Sequence, residues 1–252
     1  MQSLQRNGAE WNNLPTAQDF GSNDPGERLT ALRRLVPGRI VLTTSFGLED
    51  QALTHLIVRE GLDIELITLD TGRLFPSTYR VWAETEALYA RRIRSFHPYQ
   101  SALAAHVADA GINGFYHSRE ARTACCHIRK VEPLERALEG VRAWVTGLRS
   151  DQSEVRGAVA LTQVDAAGRL KFAPLFDWTR DQVADFCTRE KVPVNELHGR
   201  GYLSIGCEPC TRAVRPGEPE RAGRWWWEKS DSGECGLHVG CDRRPVTAGT
   251  RA

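Results

Sequence analysis

Apolar positions along this chain fall into short blocks whose spacing switches between strand-like and helix-like. Residues 1–25 hold no such block, and their mix of Gly, Asn, Pro and Asp reads as a flexible lead-in. A short helix is expected over 26–36, stopped by Pro37-Gly38. Arg39-Ile-Val-Leu-Thr-Thr44 is a buried-strand pattern. It runs into the loop Ser45-Phe-Gly-Leu-Glu-Asp50 and a helix with apolar Ala52, Leu53, Leu56 and Ile57. Asp63-Ile-Glu-Leu-Ile-Thr-Leu69 repeats the strand and ends in Asp70-Thr-Gly-Arg73, after which Pro76 opens a helix reaching Ala90. Further strands are expected over 92–96 and 142–146, with a helix over 101–110 between them.

This alternation predicts an α/β fold, a parallel-core sheet with helices on both faces. The segments 158–163 and 170–175, joined through Asp165-Ala-Ala-Gly168, read as a hairpin at one edge, and Asp177-Trp-Thr caps a helix running to Glu190. Past Pro193 the regular pattern thins. The expected division is therefore a lead-in (1–25), an α/β nucleotide-binding domain (26–197) and an irregular C-terminal flap (198–252) rich in Gly, Pro, Arg, Trp and Cys.

Charge narrows the chemistry. Lys plus Arg number 33 against 32 Asp plus Glu, a net charge of +1, so nothing general draws the chain to nucleic acid or an anionic membrane. No apolar run reaches the roughly 18 residues of a membrane span, and Met1 to Asn13 has no signal-peptide pattern. A cytoplasmic location follows, where the seven cysteines are expected to be ligands or catalysts rather than disulfides. A homo-oligomer is compatible with all of this.

Candidate chemistry gathers at strand ends and around the cysteines. Ser45 and Gly47 would let backbone N–H groups approach a phosphate at the end of the first strand. The loop lacks the Gly-Lys-Ser/Thr ending of a Walker P-loop, and by itself reads more often as plain connection. Leu69-Asp-Thr-Gly-Arg73 repeats the geometry, with Arg73 available for an anion. Cys207-Glu-Pro-Cys210 has metal-ligand spacing and Cys125-Cys126 supplies a second pair. Four thiolates suit zinc and an iron–sulfur cluster alike on ligand softness. Arg122, Arg129 and Lys130 crowd the first pair, and Arg212, Arg215, Arg221 and Arg224 follow the second. In Glu234-Cys-Gly-Leu-His238 a lone thiol, Cys235, adjoins a Gly and lies three residues from His238, which favours the thiolate. Cys187 falls on a helix and reads as core, and Cys241 as a spare exposed thiol.

Taken in order, these segments resemble the sulfonucleotide reductases, within the adenine-nucleotide α-hydrolase group. The resemblance runs from Arg39 to His238 and includes Cys125-Cys-His-Ile-Arg-Lys130, Trp144-Val-Thr-Gly147 with Asp151-Gln-Ser153, Gly201 to Arg212, and Gly223-Arg-Trp-Trp-Trp-Glu228. It implies a [4Fe–4S] cluster on Cys125, Cys126, Cys207 and Cys210, with a structural and electrostatic role. It implies an adenosine crevice lined by Ser45, Phe46, Gly47, Asp50, Leu69 and Gly72. Lys130, Arg221 and Arg224 would hold a phosphosulfate, with Arg156 as a further contact and His238 closing the pocket. Members with all four cysteines look mainly like reductases of adenosine 5′-phosphosulfate (APS), and relatives without them mostly use the 3′-phosphorylated form (PAPS). The implied reaction yields sulfite and AMP through a Cys235 thiosulfonate, released by thioredoxin. No thioredoxin-like module follows Cys241, so the reductant is expected to be a separate protein.

Two rivals come from other classes. An ATP pyrophosphatase or adenylyltransferase of the same fold would carry Ser-Gly-Gly-x-Asp-Ser. Here Phe46 replaces a Gly and Asp50 stands where a neutral Ser would meet the anion, opposing a pyrophosphate by like charge. A zinc- or cluster-stabilised sensor would have no use for the Glu-Cys-Gly-Leu-His ending.

Overall fold

The computed structural model describes residues 15–152 and 159–228. Six strands form one sheet: β1 (Arg39–Thr44), β2 (Glu65–Leu69), β3 (Arg94–Phe96), β4 (Val141–Val145), β5 (Thr162–Val164) and β6 (Leu170–Phe172). Their spatial order is β3-β2-β1-β4-β6-β5. All neighbours are parallel except the β5–β6 hairpin at the edge. β2 and β3 run outward from β1 on one side and β4 lies on the other, so the order reverses between β1 and β4. That reversal opens a crevice beyond the carboxyl ends of the two strands.

Both faces of the sheet are covered, and the strands read as continuous apolar runs for that reason. On one face Ile40, Leu42, Leu66, Ala143 and Val145 meet the helices α1 (Pro25–Leu35), α2 (Leu48–Arg59), α3 (Pro76–Tyr89) and α7 (Arg180–Arg189). On the other, Val41, Ile67 and Trp144 meet Leu134, Ala137 and Leu138 at α6 (Glu132–Ala137). Caps set the helix starts. Asp24 accepts from Gly26 and Glu27 N–H with Pro25 following at N1, and Thr179 forms a capping box with Gln182.

Two segments differ from expectation. The described part of the lead-in is anchored: residues 17–20 form a 3-10 turn whose Phe20 ring is buried against Phe172, centroids 4.7 Å apart. The stretch from 119 to 137 is helical throughout, as α5 (Arg119–Cys126), a π-helical turn (His127–Val131) and α6. α4 (Gln100–Ala110) lies just before it in sequence.

Candidate active site

The crevice holds about 200 Å³. Its floor is the ends of β1, β2 and β4, where Thr43, Thr44, Thr68, Leu69, Trp144 and Thr146 face it. One wall is the loop into α2, with Ser45 and Gly47, and the first turn of that helix, with Glu49 and Asp50. The other is residues 203–207 with Glu220, Arg221 and Arg224, and Lys130 reaches in from the π-helical turn.

The loop after β1 is tied down by its own carboxylate. Asp50 Oδ2 accepts from Ser45 N–H at 2.7 Å and from Ser45 Oγ at 2.8 Å. Donors that could otherwise cradle a pyrophosphate are therefore already engaged. Phe46 takes a left-handed φ of 59°, which costs on the order of 1 kcal/mol for a non-glycine residue. Its side chain is buried and stacks on Trp82 at 5.5 Å, so it packs in the core rather than lining the crevice. Gly147 lets β4's exit approach this loop: a Cβ there would stand 2.6 Å from Asp50 Oδ1 and 2.8 Å from Glu49 Cβ.

At the end of β2, Asp70 Oδ1 accepts from Gly72 N–H and from the Tyr79 hydroxyl, both at 2.8 Å. Gly72 has φ 69° and faces Arg129 rather than the crevice. Arg73 also turns away from the crevice. It donates to Ile112 O at 2.7 Å and Asn113 Oδ1 at 3.2 Å, and its guanidinium lies over Phe115.

Next to the crevice, and sharing Lys130 and Cys207 with it, is a smaller pocket bordered by Cys125, Cys126, Cys207 and Cys210. Cys125 and Cys126 close α5, and the π-helical turn carries Arg129 and Lys130 toward the same place. Cys207 is held by a bridge to Leu74, by Glu208 N–H donating to Arg73 O (2.8 Å), and by contact with Thr71 Oγ1 at 3.3 Å. The described cysteines form no disulfide with one another.

Among the described residues, no three His, Cys, Asp or Glu side chains are gathered round a single metal ion. The four thiols instead border a common space. Two buried N–H groups at that pocket, Arg129 Nε and Trp225 Nε1, have no protein acceptor. Four soft donors, cations on every side and unmatched N–H donors fit a negatively charged, sulfur-rich group.

The electrostatics of these thiols are uneven. Burial pushes the Cys210 thiol up to about 12, with Cys207 adding to it, and burial also raises Cys125. Cys207 moves the other way. Its burial opposes ionisation, but Lys130, the Thr71 hydroxyl, Arg224 and Arg129 together bring it below the ordinary thiol value. Of these three thiols Cys207, at the border with the crevice, ionises most readily.

The flap that carries the second cysteine pair is fixed at several points. Residues 211 and 224 form a bridge, and Trp225 N–H donates to Cys210 O at 3.1 Å. The buried Arg122 is paired with Glu228 at 2.7 Å, and the guanidinium groups of Arg122 and Arg224 both lie over the Trp225 ring. Gly206 makes room for Arg224, because a Cβ there would stand 2.2 Å from its Nη2.

Ser45, Gly47, Asp50, Leu69, Lys130, Arg221 and Arg224 therefore meet at one crevice, and the four cysteines at its neighbour. Arg156, Cys235, His238 and Cys241 lie outside the described residues. Cys187 is buried in the core, its thiol pushed up to about 12 by burial.

Four residues were missed from sequence. Thr146 Oγ1 and His198 Nε2 are buried without a protein partner in residues that line the crevice, and burial lowers the His198 pKa. Arg149 and Glu220 form a buried ion pair. His198 and Glu220 sit in no spacing that announces a role. The usable signal was the position of Thr146 and Arg149 just past the end of a parallel strand, Thr146 within the Trp144-Val-Thr-Gly147 motif.

The phosphoadenosine phosphosulfate reductase domain model matches residues 39–213. The adenosine 5′-phosphosulfate reductase of Agrobacterium fabrum is 52% identical over 210 residues, 82% of this chain and 81% of that one. Its counterpart from Sinorhizobium fredii is 51% identical over 86% of this chain and 89% of its own length. Among solved structures, the phosphoadenylyl-sulfate (PAPS) reductase of Candida auris, crystallised with phosphate, matches at TM-score 0.65 and 28% identity, covering 76% of this chain and 90% of that one. The FMN adenylyltransferase of Candida glabrata, at TM-score 0.52 and 16% identity, shares the fold alone.

Proposed function

The chain belongs to the phosphoadenosine phosphosulfate reductase domain family, and on that premise we propose that it reduces adenosine 5′-phosphosulfate to sulfite and AMP. The observation that carries this reading is the shared wall of the two pockets. Lys130 and Cys207 border both the nucleotide crevice and the four-thiol pocket. Relatives about 50% identical over most of the chain carry that activity in their names.

In this reading Ser45, Gly47 and Leu69 seat the nucleoside, and Lys130, Arg221 and Arg224 neutralise the phosphosulfate. Arg156 and His238 are proposed as further contacts. The Cys235 thiolate attacks the sulfate sulfur and the S–O bond to AMP breaks. The phosphate charge that develops is met by the cations already in place. Cys235 is left as a thiosulfonate. A thioredoxin thiolate attacks the Cys235 sulfur and expels sulfite, and the second thioredoxin thiol then frees Cys235, so the dithiol supplies both electrons.

Cys125, Cys126, Cys207 and Cys210 would hold a [4Fe–4S] cluster, which supplies a fixed negative charge and a rigid anchor for the flap rather than electrons. Between that charge and the substrate's, Lys130 is the residue that keeps two anions compatible in one low-dielectric region. A cytoplasmic setting is part of the proposal; no helix among the described residues is long and apolar enough to cross a membrane.

The test is sulfite release from APS and PAPS with reduced thioredoxin, on protein analysed for iron and sulfide. Preferential use of APS by iron- and sulfide-containing protein is expected. Activity in a colourless zinc protein would overturn the cluster, and no sulfite from either nucleotide would overturn the function.

A further inference from the structure

Behind the crevice wall sits Arg149, its side chain fully buried. Nε donates to Glu49 Oε1 and Nη2 to Glu220 Oε2, both at 2.8 Å, and Nη1 pairs with Asp151. Glu49 belongs to the first turn of α2, and Glu220 to the flap. Both line the crevice, whereas Arg149 does not. One guanidinium thus joins the start of α2, the exit of β4 and the flap. Gln152 Nε2 reinforces Glu49 at 3.2 Å, and Arg180 approaches Glu220 at 3.6 Å.

Glu220 is followed at once by Arg221. Adjacent Cα atoms are about 3.8 Å apart, so a shift of the Glu220 backbone moves its neighbour almost in full. Elsewhere the flap has its own anchors: the Leu74–Cys207 bridge, the 211–224 bridge and the Arg122–Glu228 pair. Ala222 N–H donates to Pro219 O and Arg224 N–H to Arg221 O (both 2.9 Å), and with Arg180 beside Glu220 these bonds keep the turn attached. Loosening Arg149 would therefore displace Glu220 and Arg221 within an anchored flap and move Arg224 less. A planar fork holding two carboxylates at fixed separation suits such a clamp, and a Lys point charge does not.

We infer that Arg149 is a positioning residue: by clamping Glu49 to Glu220 it sets Arg221 over the crevice, and so tunes affinity for the 5′-anion of the nucleotide. The inference deepens the reading above and rests on it.

A double-mutant cycle on dissociation constants tests it. Binding of APS by the unsubstituted chain is measured first, which separates failure of the functional reading from failure of the clamp. AMP, titrated in parallel, carries the same comparison. Arg149→Lys is expected to weaken binding about tenfold, in the range of coupling within shared ion-pair networks. In an Arg221→Ala background the loss should shrink to less than about twofold, while in an Arg224→Ala background it should persist. Equal losses in all backgrounds, or unchanged affinity with only a lower melting temperature, would overturn the clamp. Glu220→Gln, which keeps the side-chain shape, replaces Arg149→Lys in the same cycle if the latter fails to fold, with the same outcomes required.

Discussion

A single methyl group at Gly206 should disarm the crevice without unfolding the protein. The Cβ of Gly206→Ala would lie 2.2, 2.5 and 2.8 Å from Nη2, Cζ and Nη1 of Arg224. Non-bonded heavy atoms need about 3.5 Å, so the guanidinium must retreat by more than roughly 1 Å. It is free to do so. Its hydrogen bonds to Ser204 Oγ (3.5 Å) and Ile205 O (3.4 Å) are long, and the obstacle is the tip of a flexible side chain. Stability should therefore change by less than about 1 kcal/mol, the range of substitutions that open no cavity and strand no buried group. What is lost is a charge-assisted contact to the bound anion, worth about 1.5–3 kcal/mol, or roughly ten- to hundredfold in kcat/KM. The assay is thioredoxin-coupled sulfite release from APS beside thermal melts of the same preparations. In an Arg224→Ala background Gly206→Ala should cost nothing further. Wild-type activity in the single variant, or an equal loss in both backgrounds, would refute the reasoning.

Gly223→Ala should behave in the opposite way. Its Cβ would meet the carbonyl oxygen of Arg212 at 2.2 Å, which is backbone and cannot step aside. A loss of roughly 2–4 kcal/mol in calorimetric stability is expected, and an unchanged melting temperature would count against the flap geometry. Arg122→Met should strand the nearly buried Glu228 carboxylate at a cost of roughly 3–5 kcal/mol, with adding Glu228→Gln recovering part of it; no recovery would show that the pair is not what matters. Asp177 gives a pH test. Hydrogen bonds from Arg28, both 2.7 Å, hold its carboxyl below the usual range against its partial burial. With the folded value depressed, the stability it contributes is present above the unfolded value of about 3.9 and is lost as pH falls through the folded one. Denaturation midpoints should drop less on acidification in Asp177→Asn, and an identical acid slope would contradict the assignment.

Legibility in the sequence followed the strength of local pattern. β1 was readable at its true ends because its β-branched run is bounded by Pro37-Gly38 and by the loop at Ser45. The edge hairpin was readable too, though β5 and β6 are shorter than expected, pairing only over 162–164 and 170–172. The helices carrying Cys125 and Cys126 were not. Arg119–Cys126 is largely polar, and the π-helical turn shifts the phase before α6, so no 3.6-residue apolar stripe spans the segment. In the site, short motifs marked Ser45, Gly47, Lys130 and the cysteine pairs. Phe46 misled because its backbone belongs to the loop while its ring belongs to the core. The link between Arg149, Glu49 and Glu220 was not legible because it is a meeting of residues some 70 to 170 positions apart in sequence, which only the sheet order creates.

The most direct test of the central claim is to mix the reduced protein with APS in the absence of thioredoxin, then map the peptides by mass spectrometry while measuring AMP. The account predicts one AMP released per active site and a sulfo group on Cys235 that thioredoxin removes as sulfite. AMP release with no modified peptide, or a sulfo group on any other cysteine, would contradict it.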